Sequence, residues 1–296
     1  EIRNAGGTAM ADGADVSNFE QVTAMVDDWG VEVTRAEILD VNLDEATRAA
    51  MLQQLNAERA RRAQVMEAEG KKRAVELAAD TRTAAVLVEP IQGEGGVQAA
   101  ADGYLAGLRR LCDERGLLLI FDEVQTGLGR TGTLFAYQQA GIAPDILTLA
   151  KALAGGIPMG AMLAREEVMA AFTPGSHAAT FGGNPFASAV ALETLTTILE
   201  EDLPGRAARV GARILDRLRA LQARLPRIKA VRGRGLLIGI EVTGDAKPIV
   251  VKCMERGLLI LTAGDDVLRL VPPLILTEAE ADEGLAILEG VLTEAA

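Results

Sequence analysis

An aspartate and a lysine each follow a short apolar segment in this chain. Asp122 comes directly after the five apolar residues 117–121, and Lys151 comes directly after the segment 145–150. Because residues 117–121 do not alternate with polar ones, they predict a parallel strand that is buried on both faces. Open parallel sheets bind ligands beyond the carboxyl ends of their strands, so the two side chains would face one crevice.

A lysine amine and a carboxylate are the pair that pyridoxal phosphate (PLP) requires. The amine forms a Schiff base with the cofactor, and a carboxylate beside the pyridine nitrogen keeps that nitrogen protonated, so that the ring can accept electrons. The spacing alone leaves a second interpretation open. In that interpretation Asp122 is a buried acid with a structural partner, and Lys151 is a surface residue at the start of a helix.

Residues 83–296 resemble the class III PLP-dependent aminotransferases, and the acetylornithine-type members most of all. Seven ordered blocks carry the resemblance. They are 88–96, 122–127, 129–132, 144–151, 180–185, 232–236 and 267–274. The resemblance implies an α/β fold, with the large domain of fold type I PLP-dependent transferases, truncated at its start, and a C-terminal α+β small domain. It also implies PLP as the cofactor and an enzyme that works as a homodimer.

The resemblance implies that five residues hold the cofactor. Asp122 would pair with the pyridine nitrogen, Gln125 would reach the ring hydroxyl, and Val124 would lie against the ring face. Lys151 would be the Schiff-base lysine. Thr180 would donate its hydroxyl to the cofactor phosphate in the site of the partner subunit.

Two further residues are implied to bind substrates. Arg269 resembles the arginine that binds a substrate α-carboxylate, and Glu94 resembles the carboxylate that pairs with this arginine when the other substrate is bound. The implied reaction moves an amino group from an acetylornithine-like donor to 2-oxoglutarate through Lys151. Taken without the resemblance, Thr180 would be a turn residue, Glu94 a solvated loop residue and Arg269 an ordinary surface charge.

The first eighty residues resemble other families. Residues 1–30 are similar to an internal piece of short-chain dehydrogenases, and residues 30–80 are similar to the end of a stomatin/prohibitin-type domain. Segment 43–79 is rich in Ala, Glu, Arg, Gln and Leu, which favours a long charged helix. No phosphate-binding Ser-Gly-Ala loop is visible there. Two alternatives to a working transaminase therefore stay open: a catalytically impaired PLP binder, and a non-catalytic oligomeric scaffold.

Composition narrows the class of protein. The formal net charge of -12 disfavours nucleic-acid binding, and the longest apolar runs are far shorter than the ~18 residues of a membrane helix. The lone His177 disfavours a histidine triad or a zinc site, so no metal is expected. Cys112 and Cys253 show no pairing pattern, which suits the cytoplasm.

The sequence divides into a mosaic N-terminal segment (1–80), a PLP-binding portion of the large domain (81–202) and a small domain (203–296). In the last part we expect a helix over 204–225 and a strand pair near 235–242 and 267–270. A final helix over 278–292 would follow Thr277 as its N-cap, with Glu280 completing a capping box.

Overall fold

The computed structural model of this chain describes residue 70 and residues 72–294. The dehydrogenase-like and most of the stomatin-like segment, with most of the predicted charged helix, lie outside the described residues. Residues 72–78 are helical, and Ala78 is buried in the first hydrophobic core. None of the helices in the described part is both long and apolar enough to span a membrane.

Ten strands, six α-helices and two short 3-10 helices follow within residues 85–294. The strands are β1 (Ala85–Val88), β2 (Ile91–Gln92), β3 (Gln98–Ala99), β4 (Leu118–Asp122), β5 (Ile146–Leu149), β6 (Ala161–Ala164), β7 (Ile228–Arg234), β8 (Leu237–Val242), β9 (Leu261–Thr262) and β10 (Val267–Leu270). The α-helices are α1 (Tyr104–Arg115), α2 (Glu166–Met169), α3 (Pro185–Glu200), α4 (Leu203–Arg224), α5 (Lys247–Glu255) and α6 (Glu278–Glu294). The 3-10 helices are Ala136–Ala140 and Lys151–Ala154.

The first sheet has the strand order β1-β4-β5-β6. Strands β1, β4 and β5 are parallel, as the sequence predicted for β4, and β6 is antiparallel to β5. Leu119 and Phe121 are fully buried in a core that includes Leu108 of α1, whereas Leu118 and Ile120 on the opposite face are half-buried. The expected burial on both faces of β4 is therefore complete on one face only, the face that α1 covers.

The second sheet is antiparallel throughout, with the order β7-β8-β10-β9. Helix α4 covers it with Val210, Ile214, Leu218 and Leu221, whose spacing of three and four residues forms one apolar stripe. Helices α5 and α6 complete the same core. The predicted helix over 204–225 and the strand pair formed by β8 and β10 are both present.

Helix α6 begins with the predicted capping box. The Thr277 hydroxyl accepts a hydrogen bond from the Glu280 backbone N–H (3.2 Å), and the Glu280 carboxylate accepts one from the Thr277 N–H (2.8 Å). Two of the N–H groups that a helix start leaves unpaired are thus satisfied by local side chains.

Arg130 joins the two sheets. Its Nη1 donates to the carbonyl oxygens of Leu236 (3.2 Å) and Pro272 (2.5 Å), and its own carbonyl accepts from the Leu236 N–H (2.9 Å). Burial lowers the pKa of Arg130 to about 10. A Cβ on Gly235 would lie 2.6 Å from the Arg130 carbonyl oxygen, so the close approach of the two segments requires glycine there.

Candidate cofactor and substrate site

Asp122 is the last residue of β4, at the carboxyl end of the first sheet. Its Oδ1 accepts hydrogen bonds from the Val124 N–H (3.0 Å) and from the Thr148 hydroxyl (3.3 Å), because the parallel register places Thr148 opposite Asp122. Oδ2 accepts no hydrogen bond from the described residues. The carboxylate is therefore fixed through one oxygen and keeps the other available for a donor on a ligand.

Lys151 lies two residues beyond the end of β5, on the same edge of the sheet as Asp122. Its backbone has φ 50°, in the left-handed region. A strained backbone costs about 1–3 kcal/mol and persists where the surrounding structure enforces it, commonly at functional sites. The Lys151 amine makes no hydrogen bond or ion pair with the described residues.

Glu123 anchors the segment that follows β4. Its carboxylate is fully buried and accepts hydrogen bonds from the backbone N–H groups of Ala136 (2.7 Å) and Tyr137 (2.9 Å) and from the Thr126 hydroxyl (3.2 Å). Burial raises the pKa of Glu123, and these donors only partly oppose the rise. The anchor fixes the turn that carries Val124 and Gln125 in relation to Asp122.

Asp145 fastens β4 and β5 together at the opposite end of the strands. Its Oδ2 accepts from the Leu119 N–H and from Arg109 Nη1, each at 2.7 Å, and Arg165 lies 3.3 Å from its other oxygen. Burial acts to raise the pKa of Asp145, but the hydrogen bonds and the two arginine charges outweigh it, so the pKa lies below its ordinary value. The two strands that end near Asp122 and Lys151 are held in register by this contact.

Arg269 on β10 brings a guanidinium from the second sheet to the segment that follows β4. Its Nη1 donates to Glu94 Oε1 (2.6 Å) and to Gln125 Oε1 (3.3 Å). The Arg269 side chain is 9% exposed and Glu94 is 71% exposed. The buried Arg269 Nε has no acceptor among the described residues. The pairing of Arg269 with Glu94 that the resemblance implied is thus present, and Gln125 contacts the same guanidinium.

The backbone near Glu94 is shaped to admit Gln125. A Cβ on Gly93 would lie 2.4 Å from the Gln125 side-chain amide, so a larger residue at this position would require the end of the Gln125 side chain to move. The Gly93 N–H also donates to Glu89 Oε2 at 3.0 Å. Gln125 therefore occupies the space between the loop that carries Glu94 and the end of β4.

Thr180 is exposed in the loop that precedes α3. The helix begins at Asn184, whose side-chain oxygen accepts the Ala187 N–H at 2.8 Å. Thr180 makes no hydrogen bond to the described residues. Within a single chain, the structure brings together Asp122, Val124, Gln125 and Lys151 at one sheet edge and Glu94 with Arg269, but not Thr180.

The lone histidine and both cysteines belong to other segments than those that carry Asp122 and Lys151. His177 has no regular secondary structure, and its ring makes an edge contact with Phe172. Cys112 on α1 and Cys253 on α5 are buried and unpaired, and burial raises the pKa of both thiols. Neither thiol has the lowered pKa of a nucleophilic cysteine.

Most of the chain matches the model of one known protein family. The family model of class-III aminotransferases matches residues 21–292. The chain therefore belongs to the class-III aminotransferases. The match starts well before residue 83, where the resemblance carried by the sequence motifs begins. The other two resemblances, over residues 1–30 and 30–80, are not tested by this match and stay predictions.

Class-III aminotransferases of known activity are close in sequence. Acetylornithine aminotransferase of Myxococcus xanthus is 50% identical over 215 residues, which cover 72% of this chain and 54% of that protein. Ornithine aminotransferase of Staphylococcus epidermidis is 42% identical over 271 residues, which cover 88% of this chain and 68% of that protein. The chain spans about half the length of several of the curated relatives it matches.

A solved structure shares the fold. Ornithine aminotransferase of Toxoplasma gondii, crystallised with oxidised glutathione, has a TM-score of 0.73 and 42% identity, covering 75% of this chain and 53% of that one. PLP partially occupies the active site of that protein. The described α/β architecture is therefore that of a PLP-dependent class-III aminotransferase.

Three residues that matter to the site carry no individual signal in the sequence. Thr148 bonds to Asp122 only because of the parallel register, which a single sequence does not reveal. Glu123 is adjacent to Asp122 in the chain, yet the alternation of a strand turns it away into the interior. Arg232 belongs to the motif 232–236, but the motif does not indicate what its side chain binds. In the structure it contacts the loop that carries Glu94.

Proposed function

We propose that this chain carries the catalytic core of a PLP-dependent transaminase, which moves an amino group from an acetylornithine-like ω-amine donor to 2-oxoglutarate. The observation that carries the proposal is the placement of Asp122 and Lys151. They lie at the carboxyl ends of two adjacent parallel strands, one with a free carboxylate oxygen and the other with a free amine on a strained backbone.

These two residues fit PLP. A ring-nitrogen proton needs an acceptor, and Asp122 Oδ2 is available while Oδ1 is already held by Val124 and Thr148. An aldehyde needs a primary amine, and Lys151 supplies one. When it is bound, PLP supplies the aldehyde that takes the amino group and a ring that accepts an electron pair. The Asp122 charge keeps the proton on the ring nitrogen.

Lys151 moves the proton in this proposal. Lys151 would hold the cofactor through its amine, and once the substrate amine has taken its place the Nζ would serve as general base and then as general acid for the proton of the substrate carbon. Gln125 and Val124 hold the cofactor ring in the proposed arrangement, through the ring hydroxyl and the ring face.

Arg269 and Glu94 account for the use of two substrates. A guanidinium binds a carboxylate through two parallel charge-assisted hydrogen bonds, and Arg269 Nη1 already holds Glu94 at 2.6 Å. Because Glu94 is mostly exposed, it can swing into solvent, while the buried arginine stays fixed. With Glu94 in place the site accepts the ω-amine side chain of the donor. With Glu94 displaced, the carboxylate of 2-oxoglutarate binds Arg269.

The partner in this proposal is a second copy of the chain, which receives Thr180 in its phosphate site. Apolar side chains exposed near Thr180 support the idea, with Phe186 at 67% exposure and Phe181 and Leu192 also exposed. A Phe186→Asp variant should dissociate the dimer in sedimentation experiments. Leu259→Asp changes an apolar residue that is 80% exposed in another region, and it should leave the dimer intact. A Phe186→Asp protein that stays dimeric would contradict this interface.

The domain division 81–202 and 203–296 belongs to the same proposal. The two sheets have separate cores, one formed around β4 with α1 and the other around β8 and β10 with α4. A cytoplasmic location is proposed as well, supported by two buried thiols without disulfides.

Replacement of Lys151 by Ala tests the proposed reaction. The variant should lose transamination of acetylornithine with 2-oxoglutarate altogether, because it lacks the amine that is proposed to hold the cofactor and to carry the proton. Lys247→Ala is the matched control, since that lysine is exposed at the start of α5. Substantial turnover by the Lys151→Ala protein, measured as glutamate formed, would rule out this mechanism.

A further inference from the structure

Arg232 on β7 holds the loop that carries Glu94. We call residues 93–97, between β2 and β3, the Glu94 loop. Arg232 Nε donates to the Gly96 carbonyl oxygen at 2.8 Å, and its Nη1 donates to Glu241 Oε2 on β8 at 2.7 Å. With the Gln98 amide turned so that its oxygen, and not its nitrogen, faces the guanidinium, that oxygen accepts a hydrogen bond from Arg232 Nη2 at 3.0 Å. One planar side chain thus ties the loop, the strand after it and the second sheet together.

The same loop is seated in the second sheet by Val97. This residue has φ 52°, in the left-handed region, and is fully buried together with Ile91 and Leu237. A Cβ on Gly239 would lie 2.9 Å from the Val97 Cβ, so Val97 packs against β8 in this way because residue 239 is a glycine. A buried valine in a left-handed conformation is strained, and contacts on both sides must hold it.

We propose that Arg232 is a positioning residue that sets how firmly Glu94 covers Arg269. The Gly96 carbonyl that it binds is two residues from Glu94, and the loop has glycine on both sides of the carboxylate, at Gly93 and Gly95. Glycine backbones do not hold a conformation by themselves. The position of an exposed glutamate therefore depends on the fixed points at Gly96 and Val97. This inference rests on the proposed function, in which Glu94 covers Arg269 until a carboxylate displaces it.

The consequence is a change in the affinity for dicarboxylates. A carboxylate ligand binds Arg269 only when Glu94 has left, so its apparent affinity is reduced by the fraction of molecules in which Arg269 is uncovered. Arg232→Lys keeps the positive charge next to Glu241 but loses the planar fork that reaches Gly96 and Glu241 together. The loop is then held less firmly, Arg269 is uncovered more often, and a dicarboxylate binds more tightly.

Calorimetric titration of glutarate into the full chain measures this directly and does not require turnover. We expect Glu94→Gln to tighten binding most, and Arg232→Lys to tighten it by roughly three- to tenfold. In the double variant Arg232→Lys should add nothing, because there is no carboxylate left to hold over Arg269.

Two results would overturn the inference in distinguishable ways. If Glu94→Gln tightens glutarate binding and Arg232→Lys does not, Arg232 does not act on Glu94, and the proposed function stands. If Glu94→Gln leaves binding unchanged, Glu94 does not cover Arg269, and that part of the proposed function fails together with the inference.

Amide hydrogen exchange gives a readout that is independent of any ligand. Exchange in the peptide covering residues 93–97 should be faster in Arg232→Lys than in the native chain. Arg234→Lys is the matched control, since Arg234 lies on the same strand but binds Gln139 and does not bind the loop. Equal exchange in the native and Arg232→Lys proteins would overturn the inference.

A second variant keeps Arg232 and displaces the loop from the other side. Gly239→Ala places a methyl group against Val97, so it should raise both loop exchange and glutarate affinity in the same direction as Arg232→Lys. If Arg232→Lys does not fold, Gly239→Ala still tests the premise that the fixed points of the loop set how firmly Glu94 covers Arg269. Unchanged exchange together with unchanged glutarate affinity would refute that premise and overturn the positioning role of Arg232 with it.

Discussion

Replacing Glu123 by glutamine takes a charge out of the interior and also takes away an acceptor. The native carboxylate receives the N–H of Ala136 on one oxygen side and the N–H of Tyr137 on the other, in addition to the Thr126 hydroxyl. An amide has one oxygen, so its NH₂ group must face one of the two backbone N–H groups. The lost acceptor leaves a buried donor unsatisfied.

The lost acceptor and the removed charge change the free energy of unfolding in opposite directions, so their relative size decides whether the variant is less or more stable. An unsatisfied buried donor costs about 1–3 kcal/mol. Removal of the charge returns part of this, because burial raises the pKa of Glu123 and the ionised form is disfavoured. Since three donors already compensate the charge, the returned part is the smaller one, and we expect the variant to be about 1–2 kcal/mol less stable at pH 7.

The pH dependence follows from the direction of the pKa shift. The folded pKa of Glu123 lies above its unfolded value of about 4.3, so the folded state binds this proton more tightly. Protonation of Glu123 in the folded state thus stabilises the protein. This stabilisation is fully present below the unfolded pKa and is lost as the pH rises through the folded pKa. The native chain should therefore exceed Glu123→Gln in free energy of unfolding by more near pH 4 than at pH 7.

Urea unfolding followed by circular dichroism at pH 4 and pH 7 measures the stability loss of Glu123→Gln at pH 7 and its change with pH. Glu114→Gln on α1 is the matched control, since Glu114 is exposed and should change the free energy of unfolding by less than about 0.5 kcal/mol. A Glu123→Gln protein as stable as the native chain at pH 7, or a margin that grows with pH, would refute the reasoning.

Three further changes have outcomes set by the structure. Asp145→Asn should cost about 1–3 kcal/mol in urea unfolding at pH 7, because the carboxylate that binds both Arg109 and the Leu119 N–H is lost. Arg109 keeps its second charge partner, Asp113, and exposed Arg165→Ala should cost under about 1 kcal/mol. Because the folded pKa of Asp145 is lowered, this stabilisation is present above about pH 4 and fades as the pH falls through the folded pKa, so an Asp145→Asn deficit that persists at low pH would contradict the assignment. Asp122→Asn should keep the fold but lower turnover at least about 100-fold, and near-normal rates would place Asp122 in a structural role. Thr277→Ala should destabilise the protein by about 1 kcal/mol through the lost cap of α6, and an unchanged unfolding midpoint would show that Glu280 alone caps the helix.

The ends of β4 and β5 could be predicted because their signals are local. An apolar run that stops at a charged residue marks the end of a buried strand, and this placed Asp122 and Lys151 at one edge. The capping box at Thr277 is local as well. The contact of Arg269 with Glu94 was available only through the resemblance, since 175 residues separate them in the chain.

The remaining parts of the site depend on register and on contacts between distant segments. Thr148 meets Asp122 because β4 and β5 are paired at one register out of several possible ones. Arg232 meets Gly96 across 136 residues, and its neighbour Arg234 has the same type and the same strand face without that role. No spacing rule separates the two arginines, so their roles emerge only from the fold.

Trapping of the cofactor tests the central claim most directly. The full chain would be incubated with PLP and reduced with borohydride, and the modified peptide would be located by mass spectrometry. We expect a pyridoxyl group on Lys151 at near-stoichiometric amount, and only background labelling of the exposed Lys247. An unlabelled Lys151, or equal labelling of the two lysines, would contradict a cofactor site at the ends of β4 and β5.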